Sequence, residues 1–169
     1  VGDIFDWYGR NLASAEYIAQ AKEEGLSILE YMNKKASGIK AGESGLVALD
    51  WFNGNRSVLM NYNLTGMIMG LTLQTKPEEI FRALLEATAF GTKTIIDGYE
   101  SKGVFVKNII GAGGLSRKSP LIMQIYADVL NREISVPNSA NNSALGAAVC
   151  GAVAAKDKSG YNTVLEAID

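Results

Sequence analysis

From Val106 onward, apolar runs of strand length alternate with runs of helical length, and few architectures accommodate that order. Val106–Ile110 is short, apolar and rich in β-branched residues, and it runs straight into Gly111-Ala112-Gly113-Gly114. Ser119-Pro120 then opens a helix with Leu121, Ile125 and Val129 on one face, widened by Ile122, Tyr126 and Leu130. Glu133–Val136 is a second short strand before Pro137. Ser143–Ala155 is a helix of small residues able to lie close to a sheet. Counted from Ser57, the order is strand, helix, strand, helix, strand, helix, which predicts an α/β layer with helices packed on a sheet.

Upstream, residues from about Ile4 to Lys35 read as helical, broken near Gly25. Ser27 caps the second helix, whose Ile28, Leu29, Met32 and Ala36 share a face and which Gly38 can end. Gly45–Phe52 is a strand closed by the turn-rich Asn53-Gly54-Asn55-Arg56, and Met67–Leu73 is a weaker strand. Thr75 with Glu78 makes a capping-box pattern, and Pro77 suits a first helical turn. Ile80, Phe81, Leu84, Leu85, Thr88, Ile95, Ile96 and Tyr99 then form a broad apolar stripe that ends before Gly103. No repeat or low-complexity segment intervenes, so residues 1–169 read as one domain.

Composition narrows the function. The chain has no histidine, which removes histidine bases, Ser–His pairs and histidine metal ligands together. Cys150 is the one cysteine, so no disulfide framework and no thiolate zinc site is available, and a reducing, cytoplasmic setting suits the chain. Lysines and arginines are scattered and the net charge is −2, which leaves no basic stripe for a nucleic acid. The longest apolar stretch, around Ala144–Ala155, is too short to cross a bilayer. Val1–Trp7 is already dense in apolar and aromatic residues, and the chain stops at Asp169 within a helical pattern, so it reads as an excised fragment.

Chemistry concentrates at Asn108-Ile109-Ile110-Gly111-Ala112-Gly113-Gly114-Leu115-Ser116. Glycine lets a backbone approach a ligand with no Cβ between them, and the N–H groups of a following helix start suit phosphate oxygens. The run lacks the Gly-Lys-Ser/Thr ending of a Walker loop and is not GxGxxG. Taken by themselves these residues leave two readings open, a phosphate cradle and a tight strand-to-helix turn.

The segments around Gly113-Gly114 and Ala144-Leu145-Gly146-Ala147-Ala148 resemble the adenosine motif and second connecting helix of the actin-like ATPase superfamily, which includes sugar kinases. Within it, Gly66–Thr72, Ile80–Ala87 and Met123–Leu130 resemble the FGGY carbohydrate kinases, and Gly45–Arg56 is similar to the ribulokinase branch. The likeness covers nearly the whole chain, in order and at family-like spacing. It implies an α/β, ribonuclease-H-like domain of the actin-type ATPase architecture, incomplete at its N-terminal side. It also implies transfer of the ATP γ-phosphate to a sugar hydroxyl, here the 5-hydroxyl of L-ribulose, with Mg²⁺.

By that resemblance the backbone of Gly113 and Gly114 contacts the nucleotide. Lys118 and Ser119 fall where the family places a polar side chain near the adenosine, one residue further on than in glycerol kinases, so either can face the ligand. A solvated lysine and a plain helix cap are the competing readings of these two. The family's catalytic aspartate precedes the matched region, so no residue here takes the base role. The pentulose is met mainly by an N-terminal lobe outside this chain, and no metal ligand is assigned. Two alternatives stand beside this reading. One is the same lobe of a kinase for xylulose, ribitol or D-ribulose; the other is a non-catalytic nucleotide-binding module. ATP and ADP are the expected partners, and a homo-oligomer is left open.

Val1-Gly2-Asp3 looks like the end of a second adenosine-side loop. Asp128 reads as a helix acceptor beside core residues, and Trp51-Phe52 as core packing before a turn. Met67 and Met69 read as core filler, and Glu23-Glu24 and Lys34-Lys35 as solvated helix surface.

Overall fold

The computed structural model describes residues 2–139, 141–155 and 160–168. It opens with α1 (Gly2–Asn11), α2 (Ala15–Glu23) and α3 (Ile28–Ala36). The expected break at Gly25 is present, and a second one precedes Ala15. There Ser14 adopts an extended backbone and its side chain accepts from the Tyr17 amide, so a new helix begins. Ser27 caps α3 reciprocally with Glu30, each residue's side chain meeting the other's backbone N–H. Met32 and Ala36 of the predicted face are buried, joined by Tyr31, while Ile28 and Leu29 pack at the edge.

The spine of the molecule is α4 (Pro77–Glu100), with proline in its first turn as expected. Its capping differs from the Thr75–Glu78 pattern because the helix begins one residue later. The Lys76 amide donates to Glu79 at 2.6 Å, and the Thr75 hydroxyl accepts from the Thr72 amide instead. Glu78 is left to receive the Tyr17 hydroxyl at 2.6 Å, and the Tyr8 hydroxyl donates to the Pro77 carbonyl at 2.7 Å. These two bonds latch α1 and α2 onto the start of α4. Burial, reinforced by Glu78, pushes the Tyr8 phenol well above its ordinary value.

Phe81, Leu84 and Leu85 meet Phe5, Tyr8, Met32 and Ile122 in the core. The Phe81 ring lies 5.7 Å from Phe5 and 5.1 Å from Tyr8. Arg82 and Glu86, both nearly enclosed, pair at 2.7 Å, so the charge buried with this face has a partner. The apolar stripe is covered only as far as Ala89. Ile95 and Ile96 are half-buried, and Phe90 and Tyr99 are 56% and 54% exposed, so the far half of α4 extends past its neighbours.

The strands are shorter than the apolar runs that carry them. β1 (Val47–Leu49) and β2 (Met67–Met69) pair antiparallel, with Ala48 opposite Ile68. These two face the core, whereas Val47, Met67 and Met69 are exposed, so the two methionines are not core filler. Further on come β3 (Ile109–Ile110), α5 (Gly114–Lys118), α6 (Pro120–Leu130) and β4 (Ile134–Ser135). β4 lies parallel to β3 with Ile109 opposite Ile134, a crossover connection through α5 and α6. The predicted strand from Val106 starts late because side chains satisfy Val106: its carbonyl accepts from Arg132 and its amide donates to Glu100. The chain continues with α7 (Asn142–Ala154) and α8 (Val164–Ile168). α7 packs on α8 and buries none of its residues, so the small-residue helix does not lie on a sheet here.

Candidate functional site

The glycine run is shaped by three different demands. The Gly111 amide donates to the Ser135 carbonyl at 2.9 Å, extending the β3–β4 pairing by one residue. A Cβ at Gly111 would come within 2.9 Å of the Met123 sulfur and 3.3 Å of Ile134, so the close approach of strand and helix requires glycine. Gly113 has φ +104° and ψ 178°, a region essentially reserved for glycine, and it is the cap from which α5 starts. Gly114 is the first helical residue, and a Cβ there would meet nothing within 4 Å. The turn therefore presents backbone to open space at Gly114. The Ser116 hydroxyl, donated to the Gly113 carbonyl at 2.8 Å, braces it from beneath.

The other two predicted residues part company. Lys118 is exposed at the end of α5, near enough to Glu30 to help hold that carboxyl below its usual range, after the stronger pull of the Ser27 hydrogen bonds. Ser119 is 5% exposed. Its hydroxyl accepts from the Ile122 amide at 3.2 Å as the cap of α6 and donates to Asn33 in α3 at 2.5 Å. It thereby ties the turn to the helical layer. A Cβ at Gly2 would lie 3.9 Å from the Leu115 side chain, so the start of α1 sits against α5. The predicted adenosine-side loop and the turn are thus neighbours, with Val1 outside the described residues. Asp128 is exposed and accepts from Gln124 at 2.7 Å, a surface pair and not a core acceptor.

A cleft of about 640 Å³ lies between α1, α4 and the segment that follows β1. Half-buried Asp50 lines it, and burial pushes its carboxyl above the ordinary range against the lowering effect of its own backbone amide. Gly91 of α4 makes room for it, since a Cβ there would come within 2.6 Å of Oδ2. Trp7 and Phe52 pack along one wall with ring centroids 4.9 Å apart and planes tilted by 59°. Sequence reasoning assigned this segment to core packing and a turn. That holds, since Phe52 packs against the core and the Gly54 amide donates to the Trp51 carbonyl at 3.1 Å; the cleft was the part missed, and its one signal was an aspartate between Leu49 and Trp51. Among the described residues no group of His, Cys, Asp and Glu is arranged to hold a metal ion. No described helix is long and apolar enough to cross a membrane.

Residues 1–155 match the C-terminal domain of the FGGY family of carbohydrate kinases. A ribulokinase of Anoxybacillus flavithermus is 53% identical over 168 residues, which cover 99% of this chain and 30% of that protein. A ribulokinase of Geobacillus thermodenitrificans gives the same identity and coverage. The chain therefore spans about 30% of the length of these relatives. Among solved structures, a xylulose kinase from Rhodospirillum rubrum superimposes with TM-score 0.70 and 28% identity, over 93% of this chain and 30% of the other. Plasmodium falciparum glycerol kinase with ADP gives TM-score 0.65 and 25% identity, over 88% and 27%.

Proposed function

The chain belongs to the FGGY family of carbohydrate kinases, as their C-terminal domain, and from that premise we propose that its 169 residues form the ATP-binding lobe of a ribulokinase. Its α/β fold is that of the actin-like ATPases. The reaction is transfer of the ATP γ-phosphate to the 5-hydroxyl of L-ribulose, a cytoplasmic step in arabinose use. Ribulokinase relatives near half identity over almost the whole chain favour ribulose. Xylulose, the substrate of the sister reading, is named by structural relatives of much lower identity.

The observation that carries the nucleotide assignment is the open backbone at Gly113–Gly114. Gly113 holds a conformation that turns the chain sharply, and Gly114 leaves an approach that no side chain obstructs. The first amides of α5 lack partners within the helix, and an oxygen-rich ligand satisfies them. ADP, the nucleotide of the glycerol kinase relative, is the ligand we carry to this turn. Lys118 faces solvent beside it and offers a charge to the nucleotide, while Ser119 holds the α5–α6 corner in place. No group of three or more Asp, Glu, His or Cys side chains gathers among the described residues, and Mg²⁺ in a kinase site is held chiefly by nucleotide phosphates, water and one or two carboxylates. In phosphoryl transfer the protein contributes positioning and charge stabilisation, and this lobe's share is to fix the nucleotide. The base that takes the hydroxyl proton is assigned to the remainder of the enzyme.

Gly114→Val tests the assignment. The branched side chain stands in the proposed ligand path, and φ at this position is not positive, so the turn itself survives. ADP calorimetry on the full-length kinase should show affinity lowered at least about tenfold, a loss of 1.4 kcal/mol or more. Urea unfolding should stay within about 0.5 kcal/mol. Unchanged ADP affinity in a folded variant would leave only a tight turn.

A further inference from the structure

We propose that Asn33 of α3 is a positioning residue for the nucleotide turn, acting through the buried Ser119 hydroxyl to set how Gly113 and Gly114 face their ligand. The inference rests on the nucleotide reading of that turn. It goes beyond that reading because Asn33 belongs to the helical layer and lies 86 residues from Ser119 in the chain.

Ser119 is the joint between α5 and α6. Its amide donates to the Leu115 carbonyl at 3.0 Å and closes α5, while its hydroxyl accepts from the Ile122 amide at 3.2 Å and opens α6. The hydroxyl has one proton to give, and it goes to Asn33 Oδ1 at 2.5 Å. Asn33 is oriented to receive it, because its Nδ2 donates to the Leu29 carbonyl at 2.8 Å. That second bond decides which end of the amide faces Ser119. Ser119 is 5% exposed, so a hydroxyl that lost this acceptor would have little water to turn to.

α5 needs an outside reference. Five residues are too few to hold a helix by its own hydrogen bonds, so its direction depends on what its ends are tied to. At the first end, the Gly111 amide donates to the Ser135 carbonyl at 2.9 Å and joins the glycine turn to β4. At the second, Ser119 joins it to α3. α3 is a firm post, with Tyr31, Met32 and Ala36 buried in the core and its start closed by the Ser27–Glu30 capping box. Glu30, one turn before Asn33, feels the same corner, since the Lys118 charge adds to the Ser27 hydrogen bonds in holding its carboxyl below the usual range. Without the Asn33 bond, α5 keeps its tie to β4 and is free to swing about it, carrying Gly113 and Gly114 along. A shift of about 1 Å in a positioning group is enough to weaken its hold on a ligand.

The test uses the full-length kinase. Asn33→Ala should raise the ADP dissociation constant, measured by calorimetry, at least about fivefold. The KM for ATP should rise with it, while the KM for L-ribulose stays within about twofold of the original. A merely structural role would lower the active fraction, and so kcat, and leave both KM values where they were. Asn33→Leu removes the acceptor at nearly constant volume and should act alike; it decides the matter alone if Asn33→Ala fails to fold. When Ser119 is already alanine, Asn33→Ala should weaken ADP binding by less than about a further twofold, because the path runs through that hydroxyl. Unchanged ADP affinity in the folded Asn33 variants, or a full further loss on top of Ser119→Ala, overturns the positioning role. If Gly114→Val weakens ADP binding and the Asn33 variants do not, the inference fails and the nucleotide turn stands. If Gly114→Val also binds ADP unchanged, the nucleotide reading falls and takes the inference with it.

Discussion

Gly113 and Gly114 are neighbours with opposite reasons for being glycine. Gly113 occupies a backbone region that side chains avoid, with free space around it; Gly114 has ordinary backbone and equally free space. Gly113→Ala should therefore cost about 1–3 kcal/mol through backbone strain alone, while Gly114→Ala should change stability by less than about 0.5 kcal/mol. Urea unfolding of the pair separates them, and equal costs would mean that the turn is not held as described. The turn was legible in the sequence because a strand, a glycine run and a Ser-Pro helix start are all local signals. Which glycine bears the strain was not legible, since that depends on dihedral angles and not on composition. α5 escaped notice because five residues are too few to show a period. The partner of Ser119 escaped because Asn33 lies 86 residues away. Asp50 is the sharpest case. Within its own segment it is one polar residue in a strand pattern, and only α1 and α4 turn that position into the wall of a cleft.

At the scale of elements, the helix phases were legible and their reach was not. Periodicity records which face of α4 is apolar, and Phe81, Leu84, Leu85 and Thr88 are buried as that phase requires. How far the stripe is covered depends on the lengths of α1, α3, α6 and β1, which pack on the helix and leave Tyr99 in the open. Two substitutions separate these halves. Leu84→Ala should cost about 2–5 kcal/mol by removing buried methyl groups and leaving a void. Tyr99→Ala should cost less than about 1 kcal/mol. A cost below about 0.5 kcal/mol for Leu84→Ala would mean that this face of α4 meets solvent and the helix phase is wrong. Strand ends were harder to read for a related reason. A strand exists only where a second segment pairs with it, and the partner of Ile109 is Ile134, across the whole α5–α6 crossover.

For the whole molecule, the proposed nucleotide turn and the cleft beside Asp50 lie on different elements, and neither contains a complete reaction. The glycine turn sits at the end of the β3–β4 pair, whereas the Asp50 cleft lies against the middle of α4. α7 buries none of its residues fully, and Ile110 is 66% exposed beside the turn. The chain spans about 30% of its ribulokinase relatives. Phosphoryl transfer depends on holding a nucleotide and an acceptor hydroxyl in line while water is excluded, which one open lobe does not do. On the proposed reading, this lobe by itself is therefore expected not to turn over. The 169-residue polypeptide, given L-ribulose and Mg-ATP in a coupled assay, should release no ADP above background. The full-length enzyme should run within the usual kinase range of about 1–100 per second. Turnover by the polypeptide within that range would place both the base and the sugar in this chain. Asp50, a carboxylate with a raised proton affinity facing an open cleft, would then become the first residue to test as that base.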